Sequence, residues 1–114
     1  MNCNIATTED FERKFKRLLK KYRSLKNDMA DLIKDLRKNP AMGDDLGNST
    51  RKVRMAIRSK NKGKSGGARI ITYYFLTDVA NTKIYLLTIY DKSERENISA
   101  KEIRNLKEIN GLFQ

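Results

Sequence analysis

The sequence contains no histidine, no tryptophan and a single cysteine, Cys3. One cysteine cannot form an internal disulfide, and a chain without histidine lacks the usual zinc ligands and the ordinary base of catalysis at neutral pH. We therefore expect no metal or cofactor, and any catalysis must use lysine, arginine, tyrosine or carboxylate side chains. No apolar run approaches the roughly 20 residues of a membrane-spanning helix, and the N-terminus does not resemble a secretory signal. A single cytoplasmic domain over residues 1–114 is the expectation.

Acidic residues are also scarce, because 14 aspartates and glutamates stand against 25 lysines and arginines, which gives a net charge of +11. Such a charge favours a polyanionic partner, either nucleic acid or an anionic membrane surface. The imbalance is greatest in residues 51–69, which contain no acid and eight basic residues: Arg51, Lys52, Arg54, Arg58, Lys60, Lys62, Lys64 and Arg69.

Two interpretations of this basic stretch are open. Charge runs are commonly solvated, so Lys60, Lys62 and Lys64 are explained in one interpretation by an exposed hairpin tip. Like charges along one strand face repel, however, unless a polyanion neutralises them, which favours a binding groove. Glycines at 63, 66 and 67 are expected to let the backbone approach a phosphate. A nucleotide-binding P-loop is excluded, because Arg58 occupies the position of its first glycine and a strand follows.

The first third of the chain predicts two helices. Apolar residues recur with helical spacing over 11–22, behind a cap at Thr7 or Thr8, and again over 25–36. The two matched stripes indicate a helical hairpin, and residues 41–50 are predicted to form a loop.

The remainder of the chain predicts strands and one further helix. A short strand at 4–6 is followed, after the helices, by an alternating strand at 51–58 and by β-rich segments at 68–76 and 83–91. Ser99 with Glu102 predicts a capping box for a final helix. These elements favour an α+β fold with the helical hairpin packed on a twisted antiparallel sheet and a C-terminal helix.

Several motifs resemble one known family. They are Lys-Val-Arg at 52–54, Lys-Gly-Lys-Ser-Gly-Gly-Ala-Arg at 62–69, and the run 84–95, which ends in Tyr-Asp-Lys-Ser-Glu-Arg. Together they resemble the RelE/ParE superfamily of bacterial toxins, most closely its HigB-like branch, over nearly the whole chain. The resemblance implies a small microbial-RNase-like fold. It also implies a toxin that an antitoxin, expected to be a helix-turn-helix protein encoded next to it, holds inactive. On release, such a toxin enters the ribosomal A site and cleaves mRNA.

The resemblance also implies roles for individual residues. Arg69 is expected to stabilise charge on the scissile phosphate, and no tyrosine follows Tyr90, which makes Tyr90 the candidate proton donor. A lysine crowded by other cations can serve as a base. The catalytic candidates are therefore Arg69, Lys64, Lys92, Arg54, Lys52 and Tyr90, and the RNA-binding candidates are Arg58, Lys60, Lys62 and Arg95.

Three other functions remain open from the sequence. A ParE-like inhibitor of DNA gyrase would share the scaffold, and a non-catalytic RNA-binding module would use the same basic face. A membrane-surface protein is disfavoured, because the apolar stripes of both helices are needed to cover a sheet.

Overall fold

The computed structural model describes residues 2–112, with side chains from Cys3 onward. Within this range the chain forms five strands and three α-helices in one α+β unit; the sequence predicts the fold class, the three helices and four of the strands. In chain order they are β1 (Asn2–Thr7), α1 (Glu9–Lys21), α2 (Leu25–Lys38), β2 (Asp44–Gly47), β3 (Thr50–Met55), β4 (Ala68–Asp78), β5 (Asn81–Asp91) and α3 (Ala100–Ile109), with a short 3₁₀ helix at Arg58–Lys60 between β3 and β4.

The sheet has the order β1-β5-β4-β3-β2. Neighbouring strands are antiparallel except at β1, which pairs parallel with β5 and places Ile5 opposite Ile84. The prediction of an antiparallel sheet is therefore correct for four strands and incomplete for the fifth. Without β1, the long and largely buried β5 would leave one edge of backbone donors and acceptors unpaired.

The predicted loop at 41–50 is wrong, because it contains β2 and a tight turn. Asn48 and Ser49 both have positive φ, at 52° and 58°, and Gly47 pairs with Thr50 across them. A two-residue turn with two positive φ angles matches the right-handed twist of a hairpin. All four residues of β2 are exposed, so the strand gives no apolar periodicity that sequence analysis could detect.

The predicted strand at 51–58 is too long, because β3 ends at Met55. Beyond it, the N–H of Arg58 donates to the Asp28 carboxylate at 3.2 Å, and the N–H of Ser59 donates to the Ser24 hydroxyl at 2.9 Å. These bonds from the α1–α2 junction draw the chain out of the sheet. Arg58 therefore does not continue the strand face of Lys52 and Arg54.

The sheet has two differently covered faces. On the side we call the helix face, α1 and α2 bury side chains such as Leu18 and Leu36 against Val53, Ile70 and Ile84. We call the opposite side the open face. There α3 and its flanking segments cover only part of the sheet and form a smaller apolar cluster with it. Its members are Ile71, Tyr73, Leu87, Tyr90, Ile98, Ile103 and Leu112.

The predicted helix starts are confirmed at their caps. The Thr8 hydroxyl accepts the N–H of Phe11 at 3.0 Å, and the Ser99 hydroxyl accepts the N–H of Glu102 at 3.1 Å. The capping box is only half formed, since the Glu102 carboxylate pairs with Arg95 instead of the cap. Among the described residues, no helix combines the length and apolarity needed to cross a bilayer.

Candidate functional site

A row of three side chains crosses the open face at the edge of the smaller apolar cluster. Arg54 on β3 is paired with Arg69 on β4, and Arg69 is paired with Tyr90 on β5. Directly opposed residues on neighbouring strands have Cβ atoms about 5 Å apart on the same face. The sheet register therefore brings two cations and a phenol from three strands into one site.

Arg69 is rigidly held and its charge is not neutralised. Arg69 is only 6% exposed. Its guanidinium donates to the carbonyls of Lys64 (2.9 Å), Ser65 (3.2 Å) and Ala68 (3.2 Å). Within residues 3–112 it forms no ion pair with a carboxylate. Because a guanidinium does not lose its proton in a protein, Arg69 remains a fixed positive charge that also orders the loop before β4.

Arg54 is the exposed member of the row. Among the described residues it has no hydrogen-bond or ion-pair partner. It lines a groove together with Lys64, with Arg58 and with three aspartates of α2: Asp28, Asp31 and Asp35. Lys52, two residues earlier on the same strand face, donates to the Asn97 side-chain oxygen at 3.0 Å. A ligand on this face therefore meets at least one cation that is not engaged elsewhere.

Tyr90 completes the row with a covered hydroxyl. The Arg95 guanidinium carbon lies 5.7 Å from the centre of the Tyr90 ring, and the phenol oxygen is buried without a hydrogen-bond partner in the described chain. Burial raises the pKa of Tyr90, and Arg69 and Arg95 oppose that rise without cancelling it. The phenol therefore keeps its proton at neutral pH, so it is present as a possible donor, although burial makes it a weaker acid than an ordinary tyrosine.

Lys92 and Arg95 lie in the turn after β5. The backbone N–H of Lys92 donates to the Gly67 carbonyl at 3.0 Å, and its ammonium donates to the Glu96 carbonyl at 2.7 Å. Arg95 donates to the Asn97 carbonyl at 2.8 Å and pairs with Glu102. The turn therefore places both cations at the end of the sheet where β4 begins, which is the end that carries Arg69.

Two predicted RNA-binding residues, Arg58 and Lys60, lie elsewhere. Arg58 pairs with Asp28 at 3.2 Å and with Asp31, both on α2. The Lys60 side chain is 8% exposed and pairs with the buried Asp91 at 2.8 Å. Both point toward the helices rather than the open face. Lys62 is exposed in the loop before β4.

The glycines of this loop have a different role from the one expected. A Cβ on Gly67 would lie 2.1 Å from the Met55 carbonyl oxygen, and one on Gly66 would lie 2.6 Å from the Lys62 Cβ. Both glycines therefore allow the loop to pack against its own chain. Close approach to a phosphate is not needed to explain them.

Sequence analysis missed Asn97 and Glu102 as parts of the site. Asn97 contacts both Lys52 and Arg95, and Glu102 pairs with Arg95. No local signal marks Asn97. Glu102 has one, since it lies in the first turn of a helix that begins a few residues after Arg95, but the capping box is the more common use of that position.

A comparison with protein families adds an independent finding. Residues 11–114 match the family model described as the RelE toxin of the RelE/RelB toxin-antitoxin system. The match includes most of α1, the entire β3–β5 region that carries the row, and α3.

Proposed function

Because this chain belongs to the RelE toxin family of toxin-antitoxin systems, we propose that it is a ribosome-dependent endoribonuclease that cleaves mRNA in the A site. The observation that carries the proposal is the row of Arg54, Arg69 and Tyr90. Two arginines without acidic partners are suited to bind a phosphodiester, and a protonated phenol beside them is suited to release its leaving group.

The proposed reaction is attack by the ribose 2′-hydroxyl on the adjacent phosphorus. Negative charge grows on the non-bridging oxygens as the new P–O bond forms, and Arg69 with Arg54 stabilises that charge. The bond to the 5′-oxygen breaks, and Tyr90 gives this oxygen its proton. The products are a 2′,3′-cyclic phosphate and a free 5′-hydroxyl.

The 2′-hydroxyl proton must pass to a base, for which the site offers amines. Lys52, Lys64 and Lys92 remain the candidates, and Lys64 is the exposed one that shares a groove with Arg54. Because Arg95 covers the Tyr90 ring, productive binding of RNA requires Arg95 to move toward the phosphate backbone.

Dependence on the ribosome follows from what the site supplies. It offers charge and a proton donor, and we expect a second body to fix the 2′-hydroxyl in line with the leaving oxygen. Correct alignment is a large part of the rate of such a step. A ribosome that holds the codon would supply this alignment, and the net charge of +11 favours binding to ribosomal RNA.

The proposed partners follow from the same face. Membership of a toxin-antitoxin family implies an antitoxin. We expect it to be a helix-turn-helix protein encoded next to this chain that covers the cationic open face or its rim. Action on translating ribosomes places the protein in the cytoplasm.

The proposal is tested by expression in growing cells, followed by mapping of mRNA 5′ ends. We expect growth arrest and new 5′ ends within codons of translated messages. Arg69→Ala should abolish them, because loss of one such donor costs about 100-fold to 1,000-fold in rate. Arg37→Ala is the matched control, since Arg37 is an exposed arginine on α2.

Folding must be measured alongside, because Arg69 also holds the carbonyls of Lys64 and Ser65. Circular dichroism of purified Arg69→Ala distinguishes a lost site from a lost fold. Growth arrest with an unchanged 5′-end map would remove the nuclease assignment and favour another target, such as gyrase.

A further inference from the structure

A second concave site adjoins the row on the open face. It is a cavity of about 280 Å³ between α3 and the β2–β3 turn, and we call it the α3 pocket. Its apolar wall includes Leu46, Ile98 and Ile103, and its cationic wall is formed by Lys52, Arg104 and Lys107. None of the described residues that line it is acidic. The pocket therefore combines an apolar surface with three positive charges.

Lys107 is the unusual member of this lining. The residue is 9% exposed, and it forms no ion pair with a carboxylate in the described chain. Its ammonium lies 4.8 Å from the centre of the Tyr73 ring and 3.4 Å from the Asn48 carbonyl oxygen. Burial lowers the pKa of Lys107. Within the described chain its ammonium contacts the face of one ring and one distant carbonyl, so a ligand with acceptor atoms would add to these contacts.

The α3 pocket lies about two strand residues from the proposed cleavage site. Lys52 lines the pocket and lies two residues before Arg54 on β3, a distance of about 7 Å along the strand, which is of the order of one nucleotide. Asn97, which holds the Lys52 ammonium at 3.0 Å, also lines the pocket. A strand whose phosphate lies at Arg54 and Arg69 therefore brings a neighbouring nucleotide to the pocket.

We infer that the α3 pocket holds the base of the nucleotide next to the cleaved phosphodiester. In this assignment the base lies against Ile98 and Ile103, while Lys107 and Lys52 contact its polar edge and its phosphate. The inference rests on the proposed function, since it names a part of the same RNA substrate.

An acidic peptide is the other ligand that a cationic, partly apolar pocket can bind. RNA is favoured because the pocket shares Lys52 with the face of the Arg54–Arg69 row, and because an apolar wall beside unpaired cations suits a base attached to a phosphate. Peptide binding is therefore treated as an outcome of the test.

The test uses ribosomes programmed with short mRNAs in which one nucleotide of the A-site codon lacks its base but keeps its ribose and phosphate. The measurement is kcat/KM for cleavage under single-turnover conditions. For the wild-type protein, loss of the base at one position next to the cleaved bond should lower kcat/KM about tenfold, the scale of one stacked base. In Lys107→Met, the intact mRNA should already be cleaved about tenfold more slowly, and loss of that base should add less than about twofold.

Lys101→Met is the matched control, because it removes the same charge from an exposed position on the same helix. It should keep the wild-type sensitivity to the missing base. Ala100→Phe is a second variant, since Ala100 is an exposed residue that lines the pocket and a phenyl group there would fill the entrance. It should remove the sensitivity while leaving every charge in place.

Two results overturn the inference while leaving the proposed function intact. One is normal cleavage of intact mRNA with equal effects of Lys107→Met and Lys101→Met at every position. The other is unchanged cleavage by Lys107→Met with weaker inhibition by the co-encoded antitoxin, which would assign the pocket to a peptide. Failure of the wild-type protein to cut intact mRNA on ribosomes would instead overturn the proposed function, and the inference with it.

Discussion

On the helix face, Arg58 and Lys60 each form ion pairs with carboxylates, whereas on the open face Arg54 and Arg69 form none among residues 3–112. All four cations come from one stretch of sequence that contains no acid. Arg54 and Arg69 are directly opposed across the β3–β4 pair, an arrangement that destabilises a sheet through repulsion of like charges. Positive charge therefore stabilises the fold on one face and opposes it on the other.

On the helix face, a buried carboxylate and its hydrogen-bond donors neutralise one another's charge. Asp91 is fully buried and accepts hydrogen bonds from Lys60 at 2.8 Å, from the Ser93 hydroxyl at 2.8 Å and from the Tyr22 hydroxyl. Lys21 lies 3.7 Å away. Every polar atom of the carboxylate is used, so this cluster needs no ligand, and the contrast supports the proposal that the open face binds one.

The largest expected effect comes from breaking the compensated cluster. Asp91→Asn should lower the free energy of unfolding by about 3 to 5 kcal/mol, because it leaves the Lys60 ammonium buried without its counter-charge. Urea unfolding at pH 7 measures this loss. Asp31→Asn is the control, since its carboxylate is about half exposed and a pair of that kind contributes about 1 kcal/mol or less.

The pH dependence of stability checks that the carboxylate is the cause. Burial alone would raise the pKa of Asp91, but the hydrogen bonds from Lys60, Tyr22 and Ser93 outweigh it and hold the pKa well below its usual range. Such a group stabilises the fold above its unfolded pKa, and this contribution is lost as the pH falls toward the folded pKa. Wild-type stability should therefore drop by about 1 kcal/mol at pH 3 from this group, and Asp91→Asn should lack that part of the decrease. An identical acid dependence in both proteins would contradict the assignment.

The second prediction concerns the open face, where removal of one buried polar group should affect activity instead of stability. Tyr90→Phe should slow mRNA cleavage on ribosomes about 100-fold, because it removes the proposed proton donor. The free energy of unfolding should stay within about 0.5 kcal/mol or rise, since the lost hydroxyl is buried without a partner in the described chain.

Tyr85→Phe serves as the control for this prediction, since Tyr85 is a half-buried tyrosine of the same apolar cluster. It should cleave at the wild-type rate. A stable Tyr90→Phe protein with full activity would assign proton donation to another group.

Much of this arrangement follows from local signals in the sequence. The caps at Thr8 and Ser99 and the two amphipathic helices are set by residues within a few positions of one another, and the β-rich segments that form β3, β4 and β5 are recognisable from their own composition. The row of Arg54, Arg69 and Tyr90 follows once those strands pair in register. The exposed β2 and the parallel pairing of β1 depend instead on distant partners and leave little local pattern.

The division of charge between the two faces could not be predicted from the sequence for the same reason. Asp28 and Asp31 neutralise Arg58 from about 30 positions away, and Asp91 neutralises Lys60 from 31 positions away. A stretch without acids therefore shows which cations are available. It does not show which of them the fold leaves unpaired.

The smallest expected effect separates two arginines that lie four positions apart. Arg54→Ala should lower kcat/KM for mRNA cleavage about tenfold, because it removes an exposed cation from the phosphate site without breaking any bond within the described chain. Arg58→Ala should leave kcat/KM unchanged within about twofold, because the Arg58 guanidinium is already paired with the carboxylates of Asp28 and Asp31. Loss of these pairs should lower the free energy of unfolding by about 1 kcal/mol. The two variants carry the same change in net charge, so a general loss of attraction to ribosomal RNA would weaken both equally and would contradict the distinction between the faces. A tenfold difference confined to Arg54 would locate RNA binding on the open face.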